Sequence, residues 1–217
     1  MKYPKLHREG MIICLAGPSA GGKTSLGTTL LQKYSDTLRV SISATTRSPR
    51  SGEIDGKHYH FIDHDTFQAK VANGEFFEWA KVHGQLYGTL KESIESTLKQ
   101  GLDLLLDIDI QGVRSIKASY PHSTVTVFIV PPDVTELKRR IALRSKTSEE
   151  EIHRRLETAK VECSGLMELI QLNMIDYFLV NDDRTTSENL VCSIYNSERI
   201  KVSRLSKDEI RKICVFD

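Results

Sequence analysis

The residues Gly17-Pro18-Ser19-Ala20-Gly21-Gly22-Lys23-Thr24-Ser25 fit G-x-x-x-x-G-K-[ST], with Gly17 and Gly22 as the outer glycines. These types suit the holding of a polyphosphate. Glycines let the backbone turn several N–H groups inward at phosphate oxygens. Lys23 adds a cation for the outer phosphates, and the Thr24 hydroxyl can ligate Mg²⁺. A second stretch, Ser43 to Arg50, holds Arg47 and Arg50 three residues apart, and Pro49 keeps it out of a helix. Guanidinium groups suit bidentate capture of a phosphate, although by itself the pair reads as a solvated basic turn. Tyr59, Glu78, Tyr87 and Thr89 add two phenols, a carboxylate and a hydroxyl nearby in sequence, each unremarkable alone.

The elements around the glycine-rich stretch have the order its chemistry requires. Met11 to Ala16 is a short apolar run that predicts a buried strand, and Leu26, Leu30 and Leu31 fall at helical spacing. Strand, loop and helix in that order place a phosphate at a helix N-terminus, so the sequence points to a bound nucleoside triphosphate. The first helix should end near Tyr34-Ser35-Asp36, and Arg39 to Ile42 reads as a second strand. From Ser43 to Thr89 the composition shifts to Gly, aromatic and charged residues, as in a small insert on the main sheet. Within it Tyr59 to Ile62 alternates weakly, Asp63 can cap a helix running to Asn73-Gly74, Phe76 to Val82 reads as a strand, and His83-Gly84-Gln85 as a turn.

A regular alternation of helices and strands then resumes. Leu90 to Gln100 is helical in spacing and stops at Gly101; Leu102 to Ile110 reads as a central strand, and Val113 to Ser119 as a short helix. Val125 to Val130 is the clearest strand, and Asp133 caps a helix from Val134 to Leu143. Ser148-Glu149-Glu150-Glu151 forms a capping box opening a long amphipathic helix towards Leu172. Tyr177 to Val180 and Ser187 to Tyr195 supply a last strand and helix. This alternation predicts an α/β protein built on a parallel sheet.

Composition excludes several classes. A formal net charge of +1 over 217 residues gives no global field for nucleic acid or an anionic membrane. No stretch approaches membrane-spanning length. Cys14, Cys163, Cys192 and Cys214 are far apart with no C-x-x-C pair, which argues against a zinc site and a disulfide framework. The apolar run after Lys2, Lys5 and Arg8 is too short for a signal peptide, so the cytoplasm is the expected location. The sequence leaves the oligomeric state open. Lys138-Arg139-Arg140, on a helix, and the mixed charges after Ser197 read as solvated surface.

Taken together, the motifs resemble the guanylate kinase family. The resemblance rests on Ser43 to Arg50, Ser51-Gly52-Glu53-Ile54-Asp55-Gly56-Lys57-His58-Tyr59, Phe76-Phe77-Glu78-Trp79 and Tyr87-Gly88-Thr89. It continues through Leu106-Asp107-Ile108-Asp109-Ile110-Gln111-Gly112, Val130-Pro131-Pro132 and Val180-Asn181-Asp182-Asp183, in order, from about Met11 to about Tyr195. It implies a P-loop NTPase fold: a parallel-sheet core over 1–42 and 90–196, a GMP-binding insert at 43–89, a small helical lid at about 138–160, and a tail at 197–217. It implies transfer of the γ-phosphoryl group of MgATP to GMP, and to dGMP. Ser43, Glu78, Thr89 and Asp109 match positions that read guanine; Arg47, Arg50, Tyr59 and Tyr87 match those that grip the GMP phosphate. Gly17 to Ser25, with Lys23 central, match the ATP phosphate site, and Asn181 a position near the ATP base. Arg140, Arg144 and Arg155 match arginines of the lid and its flanks, and Asp107 with Thr24 would hold Mg²⁺, the aspartate through water. Lys23, Arg47, Arg144 and Arg155 would surround the transferred group.

The chain departs from that pattern at Ala20-Gly21-Gly22, where glycine usually comes first, and at Thr24-Ser25 in place of Ser-Thr; neither is expected to matter much. Arg144-Ser145-Lys146-Thr147 replaces an Arg-Gly-Thr, which would stiffen the lid. The alternative to an enzyme is a catalytically inactive scaffold module of the same family that binds a peptide, and the intact Gly22-Lys23-Thr24 opposes it.

Overall fold

The computed structural model describes residues 8–82, 84–144 and 149–214. Its centre is β1 (Ile12–Ala16), five residues fully removed from solvent. The run can be wholly apolar because both faces of the strand are covered. Ile13 and Leu15 pack with Leu26 and Leu30 of α1 (Lys23–Lys33), while Ile12 and Cys14 face the opposite way onto Ile94 and Ile116. After α1 the chain forms β2 (Leu38–Val40), at one edge of the sheet and shorter than the expected strand to Ile42.

The segment that follows builds a second sheet. It contains β3 (Ala44–Thr45), β4 (His60–Phe61), α2 (His64–Ala72), β5 (Phe76–Val82) and β6 (Gln85–Leu90), with strand order β4-β3-β6-β5. Asp63 caps α2 by accepting the Thr66 N–H at 2.7 Å, as its position before the helix predicts. This sheet has its own core of Ala44, Phe67, Phe76 and Leu86, in which the rings of Phe67 and Phe76 stack at 4.3 Å. The pairing of β5 with β6 shifts register between Phe76 and Glu78 and sets Glu78 opposite Thr89.

The main sheet then resumes with α3 (Lys91–Lys99), β7 (Asp103–Asp107), α4 (Ile110–Ser119), β8 (Thr124–Val130), α5 (Val134–Arg144), α6 (Glu149–Ser164), α7 (Leu166–Gln171), β9 (Tyr177–Val180) and α8 (Arg184–Arg199). Its five strands lie in the order β2-β7-β1-β8-β9, every pair parallel. The C-terminal ends of β7, β1 and β8 therefore open on the same side, where ligands of open α/β sheets bind.

Several sequence expectations are corrected here. The strand expected to run to Ile110 stops at Asp107, because Asp109 turns the chain by accepting the Gly112 N–H at 2.8 Å and starts α4 three residues before Val113. The helix expected to continue towards Leu172 divides at Gly165, where any side chain would come within 2.7 Å of Ile110 Cδ1. Ser148 of the capping box lies outside the described residues, as does His83 of the expected turn. The last helix runs well beyond Tyr195, and the charged segment after it is not simply solvated. Glu198 is 1% exposed and accepts from Tyr177 Oη at 2.6 Å and from the largely covered Arg204 at 3.2 Å. Arg8 and Leu205 form a β-bridge, and α9 (Lys207–Cys214) closes the described chain. No described helix is long and apolar enough to cross a membrane.

Candidate active site

The loop between β1 and α1 is shaped by two left-handed glycines. Gly17 has φ +126, and a Cβ there would stand 2.1 Å from the Ile129 carbonyl oxygen of β8. Gly22 has φ +106, N-caps α1, and abuts the Asn181 side chain. Ala20 also sits in the left-handed region at φ +65, where a Cβ is disfavoured. Its methyl is buried among Leu137 and Ile141 of α5 and Ala159 of α6. The departure from glycine at Ala20, expected to be inconsequential, therefore adds a contact between the loop and the two helices of the expected lid.

Lys23 Nζ donates to the carbonyls of Gly17 at 2.6 Å and Pro18 at 3.3 Å, folding its ammonium back over the loop, and lies 3.9 Å from Asp107. Thr24 Oγ1 donates to Asp107 Oδ2 at 3.1 Å. Asp107 ends β7 beside β1, so the sheet register brings a carboxylate against the threonine that follows the lysine. Asn181 braces the loop from behind, its Nδ2 donating to the Gly21 carbonyl at 2.9 Å, and Arg140 Nη2 donates to the Asn181 carbonyl at 2.9 Å. Arg144 ends α5 and its side chain lies outside the described residues. Arg155 is half-buried on α6.

The second sheet carries the other candidates. Arg47 is held by Glu53 through Nη1 at 2.9 Å and Nη2 at 2.8 Å, and its Nη1 also donates to the Ser48 carbonyl at 2.7 Å. The guanidinium lies over the rings of Tyr59 (5.5 Å to the centroid) and Phe61 (5.7 Å), and Tyr59 meets Tyr87 edge-on at 5.9 Å. Glu53 also accepts the Arg50 backbone N–H at 2.6 Å; these bonds, the Arg47 pair first, pull its pKa down to about 2. Glu53 lies within the quoted motif, yet sequence reasoning gave it no role. The signal available was its place six residues after Arg47, across a turn through Gly52 at φ +85.

One open cleft of about 310 Å³ joins the two sheets, lined by Lys23, Glu78, Asp107, Ile108, Asp109 and Glu162. Burial pushes the Glu78 pKa up, and the charge of Asp109 across the cleft adds to it. The structure thus brings Lys23, Thr24, Asp107, Asp109 and Glu78 together, and gathers Arg47, Tyr59 and Tyr87 as a separate group on the second sheet. Thr89 is buried in β6 opposite Glu78, and the Ser43 carbonyl accepts the His60 N–H at 2.9 Å. Glu162, which sequence reasoning did not single out, enters the cleft from α6.

Comparison with known proteins gives a consistent set of relatives. A family model described as guanylate kinase matches residues 9–196. A guanylate kinase of Wolinella succinogenes is 45% identical over 186 residues, covering 86% of this chain and 83% of the relative. One of Thermotoga maritima is 41% identical over 204 residues, 94% of each chain. The crystal structure of guanylate kinase from Anaplasma phagocytophilum superposes with a TM-score of 0.65 at 28% identity, covering 98% of this chain and 99% of that one.

Proposed function

The chain belongs to the guanylate kinase family, with its P-loop NTPase fold, and we propose that it transfers the γ-phosphoryl group of MgATP to GMP, giving ADP and GDP, through the residues assembled above. The observation that carries this reading is the single cleft in which an intact phosphate loop, with Lys23, faces Glu78 and Asp109. Guanine offers two adjacent donors, N1–H and its 2-amino group, and an ionised carboxylate can accept both. Glu78 takes that role, with Thr89 and Asp109 beside it and Ser43 on the adjoining strand segment. Arg47, Arg50, Tyr59 and Tyr87 hold the GMP phosphate. Glu53 holds Arg47 through Nη1 and Nη2 and so fixes the guanidinium beside Tyr59 and Tyr87.

Phosphoryl transfer of this kind is mostly positioning and charge neutralisation, and no side chain needs covalent modification. Lys23 swings from the loop carbonyls to the β- and γ-phosphates, while Gly17 to Ser25 cradle them and α1 presents its N-terminus. Asn181 and Arg140 support the loop from the side of the ATP base. The Thr24 hydroxyl and the Asp107 carboxylate are hard oxygen donors at adjacent positions, which fits Mg²⁺ bound by few protein oxygens, water and nucleotide phosphates. Bound there, Mg²⁺ neutralises the charge that develops on the phosphates. Arg144 and Arg155, from a lid at about 138–160, complete the surround, and closure excludes water as a competing acceptor. The core at 1–42 and 90–196 then serves ATP, the insert at 43–89 serves GMP, and the cytoplasm supplies both.

A coupled ADP-release assay with GMP, AMP, CMP, UMP and their deoxy forms tests the reading. Turnover with GMP, and with dGMP, is expected; preference for another base, or no turnover at all, overturns it. The latter would favour the peptide-binding scaffold.

A further inference from the structure

A carboxylate is out of place beside a site that must hold a phosphate, because its charge repels the ligand. Glu53 nevertheless stands among the groups of the second sheet that face the GMP phosphate, and it bonds to both arginines there. Its Oε1 accepts from Arg47 Nη2 at 2.8 Å and its Oε2 from Arg47 Nη1 at 2.9 Å. The same Oε2 also accepts the Arg50 backbone N–H at 2.6 Å. The side chains of the ion pair are 16% and 19% exposed, so solvent screens it less than an ordinary surface pair. The chain comes back to make these contacts through a turn, closed by the Glu53 N–H donating to the Arg50 carbonyl at 3.0 Å. Gly52, its third residue, takes the positive φ (+85) that a type II turn requires at that place.

The two arginines depend on Glu53 in different ways. Arg47 has further supports, since its Nη1 donates to the Ser48 carbonyl and its guanidinium lies over Tyr59 and Phe61. Arg50 is exposed, and Glu53 takes both ends of its backbone, the N–H with its side chain and the carbonyl with its own N–H. One residue thus holds the guanidinium of the first arginine and the main chain of the second, across a segment in which Pro49 already restricts φ. We propose that Glu53 is a positioning residue: it sets the spacing of Arg47 and Arg50 so that both reach one phosphate, and this geometry outweighs the repulsion that its own charge adds. The inference rests on the GMP reading above, and within it on Arg47 and Arg50 as the groups that hold the phosphate. Charge and geometry make opposite demands here. If charge alone counted, removing the carboxylate would leave two guanidiniums unopposed and tighten GMP binding; with positioning dominant, the same change weakens it.

The test is calorimetric binding of GMP and of guanosine to the full chain, together with the KM for ATP. Guanosine carries the same base without the phosphate, so it reports the base site alone. Glu53→Ala is expected to weaken GMP roughly tenfold, the size of one lost hydrogen bond to a charged group. Guanosine binding and the KM for ATP should stay within about twofold of wild type, the scale of a surface change that touches neither site. Glu53→Gln keeps one carbonyl oxygen as acceptor and loses the charge, and should fall between wild type and alanine. In an Arg47→Ala, Arg50→Ala background, Glu53→Ala should change GMP binding by less than about twofold, since nothing is left to position. GMP binding that is unchanged or tighter in Glu53→Ala overturns the proposal. So does an equal weakening of GMP and guanosine, which would mark a carboxylate that only stabilises the insert. Should the alanine variant fold poorly, the glutamine variant decides, and GMP bound by it as tightly as by wild type, or more tightly, overturns the proposal. Wild-type protein that binds guanosine as tightly as GMP would instead sink Arg47 and Arg50 as phosphate-holding groups, so the two failures are distinguishable.

Discussion

Replacing Glu78 with alanine should remove the choice of guanine while leaving ATP binding in place. The carboxylate sits in the cleft across from Asp109, and burial first, then the charge of Asp109, push its pKa up. Guanine supplies two N–H donors on one edge, which favour the charged carboxylate. Hydrogen bonds to a charged group contribute about 1.5–3 kcal/mol each. The cleft is open and Glu78 keeps an exposed side, so the lower figure applies. Two such bonds amount to about 3 kcal/mol, or roughly 150-fold in kcat/KM for GMP. Adenine presents a bare N1 lone pair at that edge and gains nothing from the carboxylate, so the preference for GMP over AMP should narrow by a similar factor. The assay is steady-state kinetics with GMP varied at saturating ATP, then ATP varied at saturating GMP, with AMP as the competing acceptor. If Glu78 were only the outward residue of an exposed strand, the change would stay within about 0.5 kcal/mol. GMP kinetics within about threefold of wild type, the scale of such a surface change, would refute the reasoning.

Lys23→Met should nearly abolish turnover while Tm, read by calorimetry, shifts little, since the ammonium bonds to two loop carbonyls, stands at 3.9 Å from a half-exposed Asp107 and packs in no core cluster; retention of most activity would refute the phosphate-loop role. The Glu53 carboxyl, held down to about 2 by Arg47 and the Arg50 N–H, should make the stability difference between wild type and Glu53→Gln constant above the ordinary glutamate pKa. Its folded-state pKa is depressed, so that contribution is lost as pH falls from about 4.3 towards about 2; acid titration of both proteins by circular dichroism reads it, and a difference already gone at pH 5 counts against the pair. Asp103 is fully buried and accepts from Arg8 at 2.6 Å, the Met11 N–H at 2.9 Å and Tyr195 Oη at 2.6 Å. Asp103→Ala leaves Arg8 without its carboxylate and should cost about 3–5 kcal/mol. Because Asp103 starts β7 and Asp107 ends it on the cleft side, kcat at low temperature should remain within about twofold of wild type; a larger loss would tie the two ends of the strand together functionally.

How much of this was legible in the sequence depended on the distance over which each feature is specified. The phosphate loop is contiguous: its glycines, lysine and threonine are fixed by backbone geometry within nine residues, and the strand and helix beside it announce themselves by periodicity. The Asp63 and Asp133 caps were legible for the same local reason. The meeting of Glu78 with Asp109 was not. It requires β5 of one sheet to lie beside the end of β7 of another, and only resemblance to a family, not spacing, put both at one base. Two-residue strands such as β3 carry no period to detect, and the break at Gly165 depends on Ile110, fifty-five residues earlier. Ala20 shows the limit most sharply. In sequence it is a small residue in place of another small residue, which argues for indifference. In the fold it takes a left-handed conformation that disfavours its own methyl, and that methyl lies against the helices that carry Arg140 and Arg155. A strained position persists only when its surroundings over-determine it, so the strain at Ala20 measures how firmly the loop and those helices are packed together. The contact that joins loop and helices through Ala20 is therefore invisible until the chain is folded.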